Sequence, residues 1–377
     1  MLLLIPGPVT TRPEVKAALA HDFAPWDRDF APLYASVRDR LSRIGGGNPQ
    51  EHACLPLQGS GHIVVEAAIR SLVPPGGRIL VPETGRYADS MIRLANEAGR
   101  VAVPMPISPL QSVRPQDVAQ RLASDPTLSH VGLVQSETGT GVIHDVQGVG
   151  AVVRSLGRRM IVDAVSAFGA VPMNLADQPE IDAVVFTPNK CLEAFPGIAF
   201  VLARIDRLEA HAGQAGSWTL DLHDNHVMTV RSGSGRPRFT PPAQIVNALS
   251  TALDFHDAEG GREARLERYM ANARIFHQGM IDLGLTPYLS AANQGPIIAV
   301  THAPPDPRWD LQAFVDGLKR RGFLISNFFN TPVPTFRVGC IGSIGPDDMR
   351  RAVGAIAETL HELGIEQRKA VHDESGS

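Results

Sequence analysis

Apolar runs and amphipathic stretches alternate along the N-terminal part of the chain. Arg78–Pro82, Val101–Pro106, His130–Gln135, Met160–Asp163, Ala183–Thr187 and Ile198–Ala203 are short apolar runs bounded by polar or turn residues, the pattern of buried strands. Between them, Ile63–Val73, Tyr87–Ala98, Pro115–Ala123 and Val146–Leu156 read as helices. Ahead of them, Phe30, Leu33, Val37 and Leu41 follow helical spacing, and Gly45-Gly46-Gly47 stops that helix. Alternation of this kind predicts an α/β fold, with a mainly parallel sheet covered by helices on both faces.

The pattern changes near Glu259-Gly260-Gly261. A polar-rich helix over Arg262–Leu283 is expected next, then strands over Pro296–Thr301, Gly322–Ser326 and Thr335–Cys340 and a helix over Leu311–Arg321. The last helix, Pro346–Leu363, sets Met349, Val353, Ile356, Leu360 and Leu363 on one face. The expected organisation is a large domain over 21–258, a smaller α+β domain over 259–365 with segment 1–20 packed on it, and a disordered polar tail over 366–377.

Composition narrows the classes. A chain of 377 residues can bury a large core, and a net charge of −4 offers no basic surface for nucleic acid or membrane. Three widely spaced cysteines, Cys54, Cys191 and Cys340, do not make a disulfide framework and suit a reducing cytosol. The Leu2-Leu3-Leu4-Ile5 run ends at Pro6-Gly7-Pro8, too short for a signal segment, and no apolar stretch is long enough to span a bilayer.

The chemistry concentrates at strand ends. Lys190 follows Val184-Val185-Phe186-Thr187-Pro188-Asn189, in a turn between two apolar runs. A poorly hydrated lysine deprotonates more easily, and a neutral amine can form a Schiff base with an aldehyde such as pyridoxal phosphate. Asp163 ends another strand, where open α/β sheets bind ligands, and its carboxylate suits a protonated pyridine nitrogen; taken alone it reads equally as a helix N-cap. Leu57-Gln58-Gly59-Ser60-Gly61-His62 opens a helix and could cradle a phosphate. A dinucleotide site with Glu83 on the ribose is a rival reading, but the third glycine of that fingerprint is missing. Asp221, His223, Asp224 and His226 lack the spacing of a zinc site on one helix face, and no metal is expected.

With Pro6-Gly7-Pro8-Val9-Thr10, Ser136-Glu137-Thr138-Gly139-Thr140-Gly141, Val162–Gly169, Asn189-Lys190-Cys191 and Phe336-Arg337-Val338-Gly339, the chain resembles the fold-type I, class-V pyridoxal-phosphate aminotransferases to about Leu363. Trp26-Asp27, Leu220-Asp221-Leu222 and Arg238-Phe239-Thr240 are similar to the subgroup that transfers the amino group of 2-aminoethylphosphonate to pyruvate. The resemblance implies a large domain with a mainly parallel seven-stranded sheet and a homodimer with shared sites. It gives Lys190 the Schiff base and proton transfer, Asp163 the ring nitrogen, Tyr87 the ring face and Thr138 the phenolic oxygen. Ser60, Gly61, His62 and Asn189 would hold the phosphate, joined by Thr240 of a second subunit. Arg337 would clamp the carboxylate of pyruvate or alanine, a task that suits its planar fork, and Gly7 would also touch substrate. Arg236 or Arg238 would meet the phosphonate.

His62 stands where that subgroup usually has a small hydroxyl residue; Gly-Ser-Gly-His is similar to the alanine:glyoxylate enzymes of the same class. A small amine such as alanine or serine, with glyoxylate or pyruvate as acceptor, is therefore the alternative substrate pair. Thr187-Pro188 also replaces the more usual serine and alanine.

Overall fold

The computed structural model describes every residue except 232, 234 and 366–377; the expected polar tail lies outside the described residues. The chain folds into two compact units. One holds Thr11–Glu137 and Ile143–Arg265; the other holds Met1–Thr10, Thr138–Val142 and Leu266 onward.

The larger unit is built on one seven-stranded sheet. Across it lie His52–Gly59, Gly197–Arg204, Ile181–Phe186, Arg159–Asp163, Leu128–Val134, Arg78–Pro82 and Val101–Met105. The last five of these run parallel, and Gly197–Arg204 runs antiparallel to both its neighbours. Strand His52–Gly59 is absent from the sequence expectation because Pro56 interrupts its apolar run. The structure places it at the sheet edge, where a missing N–H is tolerated.

Strand periodicity divides the core. Val184 and Phe186 face one layer with Val37, Leu41, Val149 and Leu249; Ala183 and Val185 face the other with Val64, Ala68, Met91 and Ala95. Ile181–Phe186 is buried along its whole length, as a strand covered on both faces must be. Helices Gly61–Leu72, Arg86–Glu97, Pro115–Ser124 and Val146–Ser155 occur within a residue or two of their predicted spans. A seventeen-residue helix, Ala243–Glu259, has no counterpart among the expected elements.

In the smaller unit, Ile298–His302 pairs antiparallel with Thr335–Gly339, and Leu2–Leu3 pairs parallel with Phe323–Leu324. Helix Pro346–Glu362 buries Met349, Ile356 and Leu360 in a core shared with Leu4, Phe276, Phe314 and Phe336. Gly339 donates its N–H to the Leu4 carbonyl at 2.9 Å, and a side chain there would strike the Ile5 backbone. The N-terminal segment is thus stitched into this unit by main-chain contact that only glycine allows. Among the described residues, no helix is long and apolar enough to cross a membrane.

Candidate active site

Strands His52–Gly59, Ile181–Phe186 and Arg159–Asp163 end on the same edge of the sheet. The segments that follow them, with helix Arg86–Glu97, enclose a cavity of about 180 Å³. Seven of the residues singled out in the sequence line it: Ser60, Gly61, His62, Tyr87, Asp163, Asn189 and Lys190.

Lys190 is 8% exposed. Its turn is closed by backbone bonds from Glu193 N–H to the Lys190 carbonyl and from Ala194 N–H to the Pro188 carbonyl, both 3.0 Å. The Cys191 thiol donates to the Ser166 carbonyl at 3.2 Å, which ties this turn to the one that follows Asp163. Asp163 is buried and accepts the Val165 N–H at 3.0 Å. Burial pushes its carboxyl up to about 6, against the pull of that N–H and of the Lys190 charge.

Ser60 stands at the N-cap of helix Gly61–Leu72 with extended backbone, yet its hydroxyl does not cap the helix. The first-turn N–H groups therefore have no side-chain partner from that position, the arrangement in which helix ends receive anions. A Cβ on Gly61 would come within 2.8 Å of Val165 Cγ2, so the backbone approaches closer than a larger residue allows. The Tyr87 and His62 rings lie 6.3 Å apart at 34° and share one wall of the cavity. Thr187 also lines it, and its buried hydroxyl has no hydrogen-bond partner. In the sequence Thr187 stands out only as a departure from the usual pattern; its place between strand and lysine is the signal that could have found it.

The remaining predicted residues lie elsewhere. In the smaller unit, Arg337 is buried, donates through Nη1 to the Thr138 carbonyl at 2.8 Å and through Nε to Ser326 Oγ at 3.3 Å, and lies 4.6 Å over the Phe328 ring. The Thr138 hydroxyl is buried without a partner. Gly7, with φ of 134°, is in the same unit. Thr240 and Arg238 line a second cavity in the larger unit, about 300 Å³ in volume, together with Tyr34, Leu57 and Pro242. The Arg238 guanidinium is engaged there by Asp224 at 2.5 Å, by the Trp218 and Asp221 carbonyls and by the Phe239 ring. Arg236 is exposed and lines neither cavity. Among the residues that resemble a metal cluster in the sequence, Asp221 caps its own helix through the Asp224 N–H and His223 pairs with Glu209.

The sequence pattern described as aminotransferase class-V matches residues 29–317. The chain belongs to the class-V aminotransferases. It is 42% identical over 372 residues to a 2-aminoethylphosphonate–pyruvate transaminase of Burkholderia ambifaria, covering 99% of each chain. It is 41% identical over 364 residues to one from Pseudomonas putida, covering 97% of this chain and 98% of the other. The crystal structure of pyridoxamine–pyruvate aminotransferase from Mesorhizobium loti superposes with a TM-score of 0.88 at 26% identity, over 98% of this chain and 94% of that one. Ureidoglycine–glyoxylate aminotransferase from Bacillus subtilis, at 21% identity, shares the fold with a TM-score of 0.87, over 97% and 94% of the two chains.

Class-V membership makes this an aminotransferase with pyridoxal phosphate as cofactor. The cavity fits that group on three counts. Asp163 is a buried carboxylate lining the cavity, Gly61 leaves room at a helix end without a side-chain cap, and the Thr187 hydroxyl is unsatisfied.

Proposed function

We propose that the enzyme moves the amino group of 2-aminoethylphosphonate to pyruvate, giving phosphonoacetaldehyde and alanine. The observation that carries this reading is the near-complete collinearity, at 42% identity, with a transaminase named for that pair.

When bound, the cofactor supplies an aldehyde that exchanges with the substrate amine and a ring that withdraws electrons from the substrate carbon. Lys190 would contribute the amine that holds the aldehyde, and afterwards the base that takes and returns the substrate proton; its place in the cavity with Asp163 supports this. Asp163 would hold a proton on the ring nitrogen. Tyr87 would cover the ring, while Ser60, Gly61, His62 and Asn189 would bind the phosphate. Thr138 would meet the phenolic oxygen, and Arg337 and Gly7 would receive the acceptor carboxylate. Arg236 or Arg238 would meet the phosphonate; the Arg238 guanidinium is held by Asp224 and by two carbonyls.

The same reading makes the chain a homodimer in which Thr240 of the partner subunit completes the phosphate contacts. Trp218, Met228 and Phe239, respectively 70%, 52% and 44% exposed in the isolated chain, support a covered surface in this region. Three free, buried cysteines agree with a cytoplasmic setting.

The test is to add candidate amines to the purified holoenzyme, follow its visible absorbance and measure alanine formed from pyruvate. The reading expects aminoethylphosphonate to discharge the absorbance and drive alanine formation. A response to alanine or serine with glyoxylate, and none to aminoethylphosphonate, overturns it.

A further inference from the structure

We propose that Arg265 is a positioning residue for Lys190, acting through the peptide that follows the lysine. Arg265 lies near the start of helix Gly261–Asp282 and is fully buried. Its Nη1 donates to the Cys191 carbonyl at 2.7 Å, and its Nε donates to Glu259 Oε2 at 2.7 Å. Glu193 Oε1 lies 3.6 Å from Nη1, and its residue is also buried. One guanidinium therefore joins the end of helix Ala243–Glu259 to Cys191 and Glu193, which follow the lysine in its turn.

Two physical arguments separate this from ordinary packing. Removing Arg265 and the Glu193 carboxylate from water costs several kcal/mol per ion, and well-packed apolar residues often serve stability as well or better. Stability alone gives little reason for a charged cluster at this spot. Second, Glu193 has φ of 56°, the sole positive value at a non-glycine residue among those described. Such a conformation costs about 1 kcal/mol or more and persists where surrounding contacts impose it. Here those contacts are the Lys190 carbonyl, which accepts the Glu193 N–H, and the Arg265 guanidinium.

The chemical need is specific. A lysine that both holds an aldehyde and relays a proton must move its flexible stem while its backbone stays fixed. Cys191 is gripped from two directions, at its carbonyl by Arg265 and at its side chain by the hydrogen bond that the thiol donates to the Ser166 carbonyl. That grip leaves the motion to the side chain.

This inference rests on the proposed role of Lys190, which Lys190→Ala tests separately by abolishing the visible absorbance of the holoenzyme. The variants for the present proposal are Arg265→Lys, which keeps charge but loses the fork, and Glu193→Gln, which keeps shape but loses charge. The readouts are the pH midpoint of the visible band and the dissociation constant of pyridoxal phosphate. Both variants are expected to move the midpoint by about half a pH unit or more and to weaken cofactor binding ~10-fold or more. Arg159→Met is the control, because Arg159 pairs with the buried Asp182 at the opposite end of the strand that carries Asp163. It should lower Tm and leave both readouts unchanged. If Arg265→Lys does not fold, Glu193→Gln decides alone. A lowered Tm with parental midpoint and dissociation constant overturns the proposal.

Discussion

Arg337 Nη1 donates to the backbone carbonyl of Thr138 at 2.8 Å, linking two residues that lie 199 positions apart. With Ser326 Oγ on Nε and the Phe328 ring against its face, the guanidinium plane is fixed by the chain itself. Lysine cannot reproduce a fork held in that plane. Arg337→Lys should raise KM for pyruvate ~10- to 100-fold, the scale of one or two charged hydrogen bonds. Aminoethylphosphonate has no carboxylate, so single-turnover reaction of the holoenzyme with that donor should stay near the parental rate. Comparing the two half-reactions checks both statements; equal losses in each would remove Arg337 from the acceptor site.

Asp163 makes the cofactor-free protein pH-sensitive in a defined direction. Its folded value, about 6, lies above the 3.8 of a solvated aspartate. The group therefore favours the folded state most below the unfolded value, and that contribution is lost as pH rises through the folded one. The loss is on the order of 3 kcal/mol, and a bound pyridinium would reverse it by supplying a counter-charge. Pyridoxal phosphate should raise Tm more at about pH 7.5 than at about pH 5, and Asp163→Asn should flatten this difference. Thermal melts with and without cofactor at both pH values provide the measurement.

The residues legible in the sequence are those whose role follows from local pattern. Val184 and Phe186 on one face and Ala183 and Val185 on the other give a buried strand, and the polar residues at its end mark the ligand edge. Lys190 and Asp163 are therefore readable from the order of residues alone. Helix Ala243–Glu259 is not, although Val246, Leu249 and Leu253 lie at helical spacing and are buried. The alanines between them and the Pro241-Pro242 pair ahead of them blur the period. Arg265 is unreadable for another reason. The carbonyl it serves is 74 residues away, and nothing in a polar helix distinguishes one arginine from its neighbours.

Gly61 tests the close approach of backbone to cofactor. A methyl group there would meet Val165 Cγ2 at 2.8 Å and press on the residue whose N–H bonds Asp163. Alanine is also the better helix former, by roughly 0.5–1 kcal/mol. Gly61→Ala should thus leave the Tm of the cofactor-free protein about level while weakening pyridoxal phosphate binding ~10-fold or more. Fluorescence titration with the cofactor, beside a melt of the apoprotein, measures the two effects separately. An unchanged affinity would mean that Val165 yields without disturbing the cradle.

The three cysteines provide a test of burial. Cys54 and Cys340 are enclosed in apolar surroundings that push both thiols up to about 12, and Cys191 donates its thiol to the Ser166 carbonyl. A thiolate is the reactive form, so native protein should show almost no reaction with a thiol reagent near neutral pH. All three should react in denaturant, since none is in a disulfide. Reaction of Cys191 alone in the folded protein would show that the Lys190 turn opens in solution.

His144 should govern part of the acid sensitivity. Its Nδ1 accepts the Val113 N–H at 3.1 Å, its Nε2 is buried without a partner, and burial pushes the imidazole down to about 4 from 6.5. The unfolded chain takes up a proton on this residue as pH falls below 6.5, whereas the folded chain resists until about 4. Stability from this group is therefore present above the unfolded value and is lost across that window, by up to about 3 kcal/mol at its foot. Asp163 acts with the opposite sign over an overlapping range, so the parental curve alone cannot isolate either. His144→Gln can, because it removes one titration and leaves the other. The variant should be less stable than the parent near neutral pH, with a gap that narrows steadily as pH falls towards about 4.5. Urea midpoints of both proteins at several pH values give that gap; a constant difference would show that His144 is protonated in the folded protein as readily as in the unfolded chain.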